Sequence, residues 1–269
     1  MKYKLFVSDY DGTLGGFEGI NAETVSAIKE YEKRGGKFVV CTGRMCKNIR
    51  EICERYDIAD VVVSYQGARI NERKSGKALF EGHIESSLAA EILDSIKTLP
   101  VKPAVLSNNT LYYSEDSTYI EWYKKAKTAK TVDMVHVDDI AKCVAEKVFE
   151  ALKINVMCEG IDVADFIKEY GERYKGTLIV NSGGPDLAEF VNPDCSKGAS
   201  VRFLSKYYGI GYDEIIAVGD STNDLELMRG EWHGVAVGDA KEELKRVADE
   251  IAVPYKEQPI KYLLEKYCL

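Results

Sequence analysis

The sequence predicts an α/β protein in which a parallel-sheet domain is built from the two ends of the chain and an α+β domain is inserted between them. Three observations predict this. Short continuous runs of aliphatic and β-branched residues, such as Leu5-Phe6-Val7, Val61-Val62-Val63 and Ile215-Ile216-Ala217-Val218, recur near both ends. Amphipathic helical stretches separate them, the pattern of parallel strands buried on both faces. The middle of the chain reads differently, with helices beside shorter strand-like segments. The expected boundaries place 1–82 and 191–269 in the parallel core and 83–190 in the insertion. A length of 269 residues suits roughly two domains at about 150 residues each.

Taken in order, Leu5-Phe6-Val7 forms the first strand. Asn21 caps a helix that runs through Arg34 and is closed by Gly35-Gly36, with Val25, Ile28 and Tyr31 expected on its buried face. Phe38-Val39-Val40-Cys41, a helix carrying Ile49, Ile52 and Cys53, and the strand Val61-Val62-Val63 follow. In the insertion a helix near Ser87–Thr98 is ended by Pro100, and Ala104-Val105-Leu106 and Leu111-Tyr112-Tyr113 read as strands. The basic stretch Lys124–Lys130 reads as the solvated face of a helix whose other side carries Tyr119, Ile120 and Tyr123. Leu152–Met157, a helix near Val163–Tyr174, Leu178-Ile179-Val180 and Ala188–Val191 complete the insertion. The chain then returns to βα units: a helix near Ala199–Tyr208, then strands Ile215–Val218, Val235-Ala236-Val237 and Ile251-Ala252-Val253 before Pro254.

Composition narrows the function classes. Lys plus Arg number 36 and Asp plus Glu 44, a formal charge of −8. A net-acidic surface repels polyphosphate backbones, so no nucleic-acid or anionic-membrane partner is expected. No apolar run approaches the roughly 20 residues of a membrane span. Ser8 and Asp9 interrupt the start before a signal-peptide core forms. The seven cysteines (41, 46, 53, 143, 158, 195, 268) contain no Cys-x-x-Cys pair, which points to reduced thiols in a cytoplasmic protein. Three widely separated histidines (83, 136, 233) argue against a histidine metal site. Oligomeric state is not legible.

The chemistry sits where the strands end. Open parallel sheets bind ligands beyond the carboxyl ends of their strands. There the chain carries Asp9-Tyr10-Asp11-Gly12-Thr13, Thr42-Gly43-Arg44, Ser64-Tyr65-Gln66-Gly67 and Gly219-Asp220-Ser221-Thr222-Asn223-Asp224. Four carboxylates, those of Asp9, Asp11, Asp220 and Asp224, would converge there and would need a cation between them. With no His or Cys in these segments, the donor set is all oxygen and favours Mg²⁺ over zinc. Lys197, just ahead of a helix, is the candidate cation for an anionic substrate. Each segment also has a plain structural meaning. Asp-x-Asp-Gly-Thr makes turns, Thr-Gly-Arg is an ordinary strand-to-helix loop, and Asp220–Asp224 suits a helix cap with acidic first-turn residues. Their conjunction, in this order and each at a strand end, favours a catalytic site.

These four segments, Asp9-Tyr10-Asp11-Gly12-Thr13, Thr42-Gly43-Arg44, Lys197-Gly198 and Gly219–Asp224, resemble the motifs of the haloacid dehalogenase-like (HAD) superfamily. The resemblance is closest to its Cof-type phosphatases, whose C2-type cap matches the long gap between the second and third motifs. It implies a Rossmann-like core with an inserted α+β cap that governs substrate choice, Mg²⁺, and hydrolysis of small phosphorylated metabolites such as sugar phosphates. It implies Asp9 as nucleophile and Asp11 as general acid and base. The metal would be held by Asp9, the Asp11 backbone carbonyl and Asp220, with Asp224 acting through bound water. Thr42, Gly43, Lys197 and Asn223 would hold the phosphoryl group. Gln66-Gly67-Ala68 and Gly238-Asp239-Ala240 depart from the usual Asn-Gly-Ala and Asn-Ala, and Pro254–Pro259 lacks the usual glycine-bearing loop.

Three other readings carry less. An ion-pumping ATPase would have Thr where Asp11 stands and would carry membrane spans. A phosphomutase needs a second phosphate grip, and Arg173 is the single arginine between His83 and Val191. A catalytically silent binding protein would have lost one of Asp9, Asp11, Lys197 or Asp220.

Overall fold

The computed structural model of the protein describes residues 1–16, 18–125 and 132–269. The chain divides into two compact units, one of Met1–Arg44, Ile49–Leu79 and Ser196–Leu269, the other of Met45–Asn48 and Phe80–Cys195.

The first segment runs β1 (Leu5–Ser8), α1 (Ala22–Lys33), β2 (Lys37–Cys41), α2 (Cys46–Tyr56), β3 (Val61–Ser64), β4 (Arg69–Glu72) and β5 (Ala78–Glu81). The second unit holds α3 (Ser86–Ser95), β6 (Lys102–Ser107), β7 (Thr110–Tyr113), α4 (Thr118–Lys125), β8 (Asp133–His136) and α5 (Ile140–Ala145). It continues with β9 (Lys153–Met157), α6 (Val163–Arg173), β10 (Ile179–Gly184) and β11 (Leu187–Val191). The chain returns with α7 (Lys197–Tyr208), β12 (Ile215–Gly219), α8 (Leu225–Met228), β13 (His233–Ala236), α9 (Glu242–Lys245), β14 (Glu250–Ile251) and α10 (Pro259–Tyr267).

Among the described residues the first sheet has the order β14-β13-β12-β1-β2-β3-β4-β5. From β14 to β3 every pairing is parallel, with β1 between β12 and β2. The apolar runs are why: Leu5, Phe6, Val7, Val39, Val40, Val62, Ile215, Ile216 and Val218 are all fully buried. This is the α/β architecture expected from the sequence. The sheet departs from it at one edge, where β4 turns back antiparallel to β3. No periodicity marks β4, because its interior position is polar: Asn71 is fully buried and donates Nδ2 to the Gly76 carbonyl at 2.9 Å.

Helix α1 begins where Asn21 accepts the Glu23 N–H at 2.8 Å and stops at Arg34, with Gly35 left-handed at φ 91°. Its buried stripe is Thr24, Ala27, Ile28 and Tyr31. Val25 therefore sits at the margin of this face, because the i, i+3, i+4, i+7 pattern is carried by smaller residues than the sequence suggested.

In the second unit the six-stranded sheet has the order β10-β11-β9-β6-β7-β8, antiparallel except for the β7–β8 pair. One face carries Val105, Ile154, Val156, Ala188 and Phe190, packed with Ile92 and Leu93 of α3, Val144 of α5 and Phe166 of α6. β8 and α5 were not apparent in the sequence. β8 is a largely exposed edge strand with no alternation, and α5 has six residues and depends on Asp139, whose carboxylate accepts the Lys142 N–H at 3.0 Å. The helix expected over Ser87–Thr98 ends earlier, at Ser95, where Ile96 caps it. Of the basic stretch, Lys124 lies in α4 and pairs with Asp116 at 2.6 Å while Ile120 is buried; Lys127 and Lys130 lie outside the described residues.

Ile28 tests the packing of α1. Ile28→Ala removes a fully buried side chain and is expected to cost about 2–5 kcal/mol, read as a lower urea midpoint with the same slope. An unchanged midpoint would show that this helix face is not part of the core.

Candidate active site

Because β12, β1 and β2 are adjacent and parallel, their carboxyl ends share one edge of the sheet, and the polar segments noted in the sequence follow each of them. The backbone stays in register past the strand ends. The Asp9 N–H donates to the Val218 carbonyl at 2.9 Å, and the Thr42 N–H donates to the Val63 carbonyl at 3.0 Å. Each functional side chain therefore springs from backbone that is still held by its neighbour.

Lys197 organises the edge. It is the first residue of α7, whose cap Ser196 accepts the Ala199 N–H at 3.0 Å. The lysine is 1 % exposed, and its Nζ donates to Asp9 Oδ1 at 2.5 Å and to Asp224 Oδ1 at 2.6 Å. Asp224 is wholly buried, and its Oδ2 accepts the N–H groups of Asp220 (3.0 Å) and Ser221 (3.1 Å). Asp224 thus serves two contacts at once: one oxygen caps a turn and the other accepts from Lys197. Asp220 accepts from the Thr13 hydroxyl at 3.1 Å. Gly12 makes that approach possible. It is left-handed at φ 80°, and a Cβ there would lie 2.9 Å from Asp220 Oδ2.

The electrostatics follow from burial. Desolvation pushes Asp9 well above the ordinary carboxylate range; Lys197 opposes this, and the charges of Asp224 and Asp220 add to it. Asp220 is pushed up to about 6, by burial first and by Asp224 second, with the Thr13 hydrogen bond pulling the other way. Burial favours the neutral form of Lys197, but the Asp224 and Asp9 carboxylates outweigh it and hold the ammonium above its usual range. Ionised, three carboxylates around one ammonium leave two negative charges, which a divalent cation would balance.

One oxygen from each of Asp9, Asp220 and Asp224 lies within 4.8 Å of the others. The donors are all hard oxygens. Cys41 ends β2, but it is fully buried and burial raises its thiol far from the thiolate form. The residues present fit Mg²⁺.

Asp11 behaves differently from the expected fourth member of this group. Its carboxylate lies outside the three-carboxylate cluster and is half exposed. It is gripped by Arg44, whose Nε donates to Asp11 Oδ2 at 2.7 Å and whose terminal nitrogen donates to Oδ1 at 2.6 Å. The guanidinium also stacks 4.6 Å from the Tyr10 ring centre. Sequence reasoning placed Arg44 in a motif but gave it no role. The missed signal was positional: an arginine three residues beyond the end of β2, beside an Asp three residues beyond the end of the neighbouring β1, is well placed for a bidentate fork.

The remaining expected residues line the same edge. Thr42 is buried, and its hydroxyl oxygen accepts the Arg44 N–H at 3.2 Å. Gly43 lies between them, half-buried. Asn223 Nδ2 donates to Gln66 Oε1 at a long 3.5 Å, while Asn223 Oδ1 is buried with no partner among the described residues. Gln66, buried and left-handed at φ 60°, bridges from the end of β3.

The model of the haloacid dehalogenase-like hydrolase family matches residues 6–264. A Bacillus subtilis phosphatase, YwpJ, is 24% identical over 282 residues, spanning 97% of this chain and 99% of its own. The B. subtilis 5-amino-6-(5-phospho-D-ribitylamino)uracil phosphatase YwtE is 24% identical over 291 residues, spanning 98% and 97%. The crystal structure of TM0651 from Thermotoga maritima superposes with a TM-score of 0.81 at 25% identity, covering 98% of this chain and 97% of that one. With strand-end carboxylates, a buried lysine and a match over nearly the full length, the chain belongs to the haloacid dehalogenase-like hydrolases, in the Cof-type group.

Proposed function

We propose that the protein is a Mg²⁺-dependent phosphatase that hydrolyses small phosphate monoesters, sugar phosphates or related metabolites, through an aspartyl-phosphate on Asp9. One observation carries this reading. Asp9 sits 5 % exposed at the end of the central strand, with Oδ1 held by Lys197 and Oδ2 without a hydrogen-bond partner among the described residues. A carboxylate fixed through one oxygen, with the other available, is suited to nucleophilic attack. Membership of a hydrolase family and relatives that are named phosphatases support the same reaction.

In the first step an Asp9 oxygen attacks phosphorus and the bond to the leaving oxygen breaks, while Asp11 supplies that oxygen with a proton. In the second step a water oxygen attacks the phosphoryl group and Asp11 takes the water's proton. The bond to Asp9 then breaks, releasing inorganic phosphate and restoring the carboxylate. Arg44 grips both Asp11 oxygens, so on this reading the fork opens for Asp11 to carry a proton to or from the reacting oxygen. Thr42, the Gly43 amide, Lys197 and Asn223 bind the phosphoryl oxygens, and Lys197 offsets their charge. Asp9, the Asp11 carbonyl and Asp220 would hold Mg²⁺, with Asp224 fixing the loop that carries Asp220. When bound, the cation neutralises charge on the phosphoryl oxygens. The second unit, by this reading, is a cap that selects the leaving group. All seven cysteines are free thiols, and all but Cys143 are buried, which supports a reducing, cytoplasmic setting. Among the described residues no helix is long and apolar enough to cross a membrane.

Phosphate release from a panel of phosphorylated metabolites is expected to stop on addition of EDTA and return with Mg²⁺. Asp220→Asn is expected to lower kcat/KM on the order of a hundredfold and to raise the Mg²⁺ concentration needed for half-maximal rate. Full turnover in metal-free buffer would overturn the metal assignment.

The two carboxylates of the first motif separate by leaving group. Asp9→Asn is expected to abolish acid-stable labelling of the protein by ³²P substrate along with turnover. Asp11→Asn is expected to slow alkyl phosphates by about 10²–10⁴-fold, and 4-nitrophenyl phosphate, whose leaving group needs no proton, far less in the bond-breaking step. Near-native turnover by Asp9→Asn would show that the nucleophile lies elsewhere.

A further inference from the structure

The turn that follows β3 differs from the neighbouring loops in its backbone. Tyr65, Gln66 and Gly67 are all left-handed, at φ 52°, 60° and 108°. A short link between antiparallel strands such as β3 and β4 is most often built around a type I turn, whose central residues have negative φ. Glycine adopts the left-handed region freely, but Tyr65 and Gln66 adopt it against the crowding of their own Cβ atoms. The surroundings hold them there. The Tyr65 N–H donates to the Arg44 carbonyl at 3.0 Å and the Gln66 N–H to the Thr42 carbonyl at 3.1 Å. On the other side Gly67 lies against the cap of α7, since a Cβ on it would come within 2.5 Å of the Ser196 carbonyl oxygen. Side-chain-bearing residues kept in this region by tertiary contacts point to a use for the geometry.

What the turn presents is the Gln66 side chain. Its carboxamide lies on Gly43: a Cβ there would fall 2.6 Å from Gln66 Nε2 and 3.0 Å from Cδ, so only glycine leaves room for it. From there Oε1 accepts from Asn223 Nδ2 at 3.5 Å. β3 and β12 stand three places apart in the sheet, so no backbone pairing joins their loops, and this side chain does. Asn223 offers two N–H groups and one oxygen. Among the described residues Gln66 is the one hydrogen-bond partner of that amide, while Oδ1 is buried without a donor. Turned over, the amide would set Oδ1 against Gln66 Oε1, two acceptors face to face. Gln66 therefore selects the orientation, even though it leaves the Asn223 oxygen unpaired.

We infer that Gln66 is a positioning residue: by accepting one Asn223 N–H it aims the other at the phosphoryl group and keeps the Asn223 oxygen away from it. The inference rests on the phosphatase reading above, in which Asn223 binds a phosphoryl oxygen. A phosphoryl group is held by donors and repels acceptors, so an Asn223 amide free to present either end would bind it more weakly. Two properties of Gln66 are needed. Its carbonyl oxygen is an acceptor, and its side chain is long enough to deliver it. Asparagine is one methylene shorter, about 1.5 Å of bond length, which would carry a contact already at 3.5 Å out of hydrogen-bonding range.

The probe is inorganic phosphate, titrated calorimetrically into the protein in Mg²⁺ buffer. Gln66→Met removes the acceptor at nearly constant length, and Gln66→Asn keeps the amide but shortens its reach. Each is expected to weaken phosphate binding about tenfold, and Asn223→Ala by at least as much. Because Gln66 acts through Asn223, adding Gln66→Met to Asn223→Ala is expected to change the affinity by less than about twofold. Gln66→Gly takes φ 60° without strain, so it is expected to keep the parent's Tm and still bind phosphate about tenfold more weakly; it keeps the test open should the longer variants fold poorly. Unchanged affinity in the Gln66 variants, equal losses with and without Asn223, or a loss that comes only with a lowered Tm would overturn the positioning role. If phosphate binds but no phosphorylated metabolite is hydrolysed, the hydrolase reading fails while the same cycle still decides Gln66. If phosphate does not bind either, the Asn223 side-chain amide signals in a ¹⁵N–¹H spectrum, identified by their loss in Asn223→Ala, decide it. Signals moved by Gln66→Met support the role, and unmoved signals overturn it.

Discussion

The rest of the site depends on a single buried ammonium group. Lys197 lies between Asp9 and Asp224 with almost no access to water, at distances that make both contacts charge-assisted hydrogen bonds. Burying such a charge is tolerable only when it is fully partnered, and removing one partner of a buried pair typically costs about 3–5 kcal/mol. That constraint acts in both directions. The lysine requires the loops after β1 and β12 to come together, and the two aspartates require the amino terminus of α7 to lie beneath the same edge. The helix cap at Ser196 and the turn closed by Asp224 are the local means by which the chain meets it.

This arrangement divides labour among residues that look equivalent in the sequence. Four aspartates follow strand ends, yet each has different surroundings. Asp9 is buried with one oxygen engaged, Asp224 is buried with both engaged, and Asp11 is half exposed in the fork of an arginine. Asp220 stands between these cases, oriented by Thr13 and crowded by Gly12. Surroundings, not residue type, set what each of these identical side chains can do.

What could be read from the sequence follows from which signals are local. The parallel strands were legible because both their faces are apolar and the runs are continuous, as in Val61–Ser64 and Ile215–Gly219. The convergence of Asp9, Asp220 and Asp224 was legible because each follows such a run, and Lys197 was legible as a cation at the start of a helix; Asp11, expected in the same group, lies outside it. The Arg44 grip on Asp11 was only half legible: their matching positions past neighbouring strands allow it, but a side-chain rotamer completes it. The antiparallel edge at β4 was hidden by Asn71, a polar residue made internal by a turn carbonyl.

The split of the parallel sheet also bears on when the site comes into being. Asp9 and Lys197 are 188 positions apart, and Thr13 and Asp220 are 207 apart. β1, the central strand, gains its β12 neighbour only after the whole insertion has been made. Closing so long a loop is entropically slow, whereas the second unit draws most of its contacts from the stretch Phe80–Cys195 and can condense as that stretch emerges. A nascent chain therefore carries Asp9 from the start of synthesis but has no Lys197 to pair with it until nearly three quarters of the chain is made. Assembly of the sheet's centre and assembly of its polar edge are one event, so a molecule that has not finished folding holds Asp9 apart from Lys197.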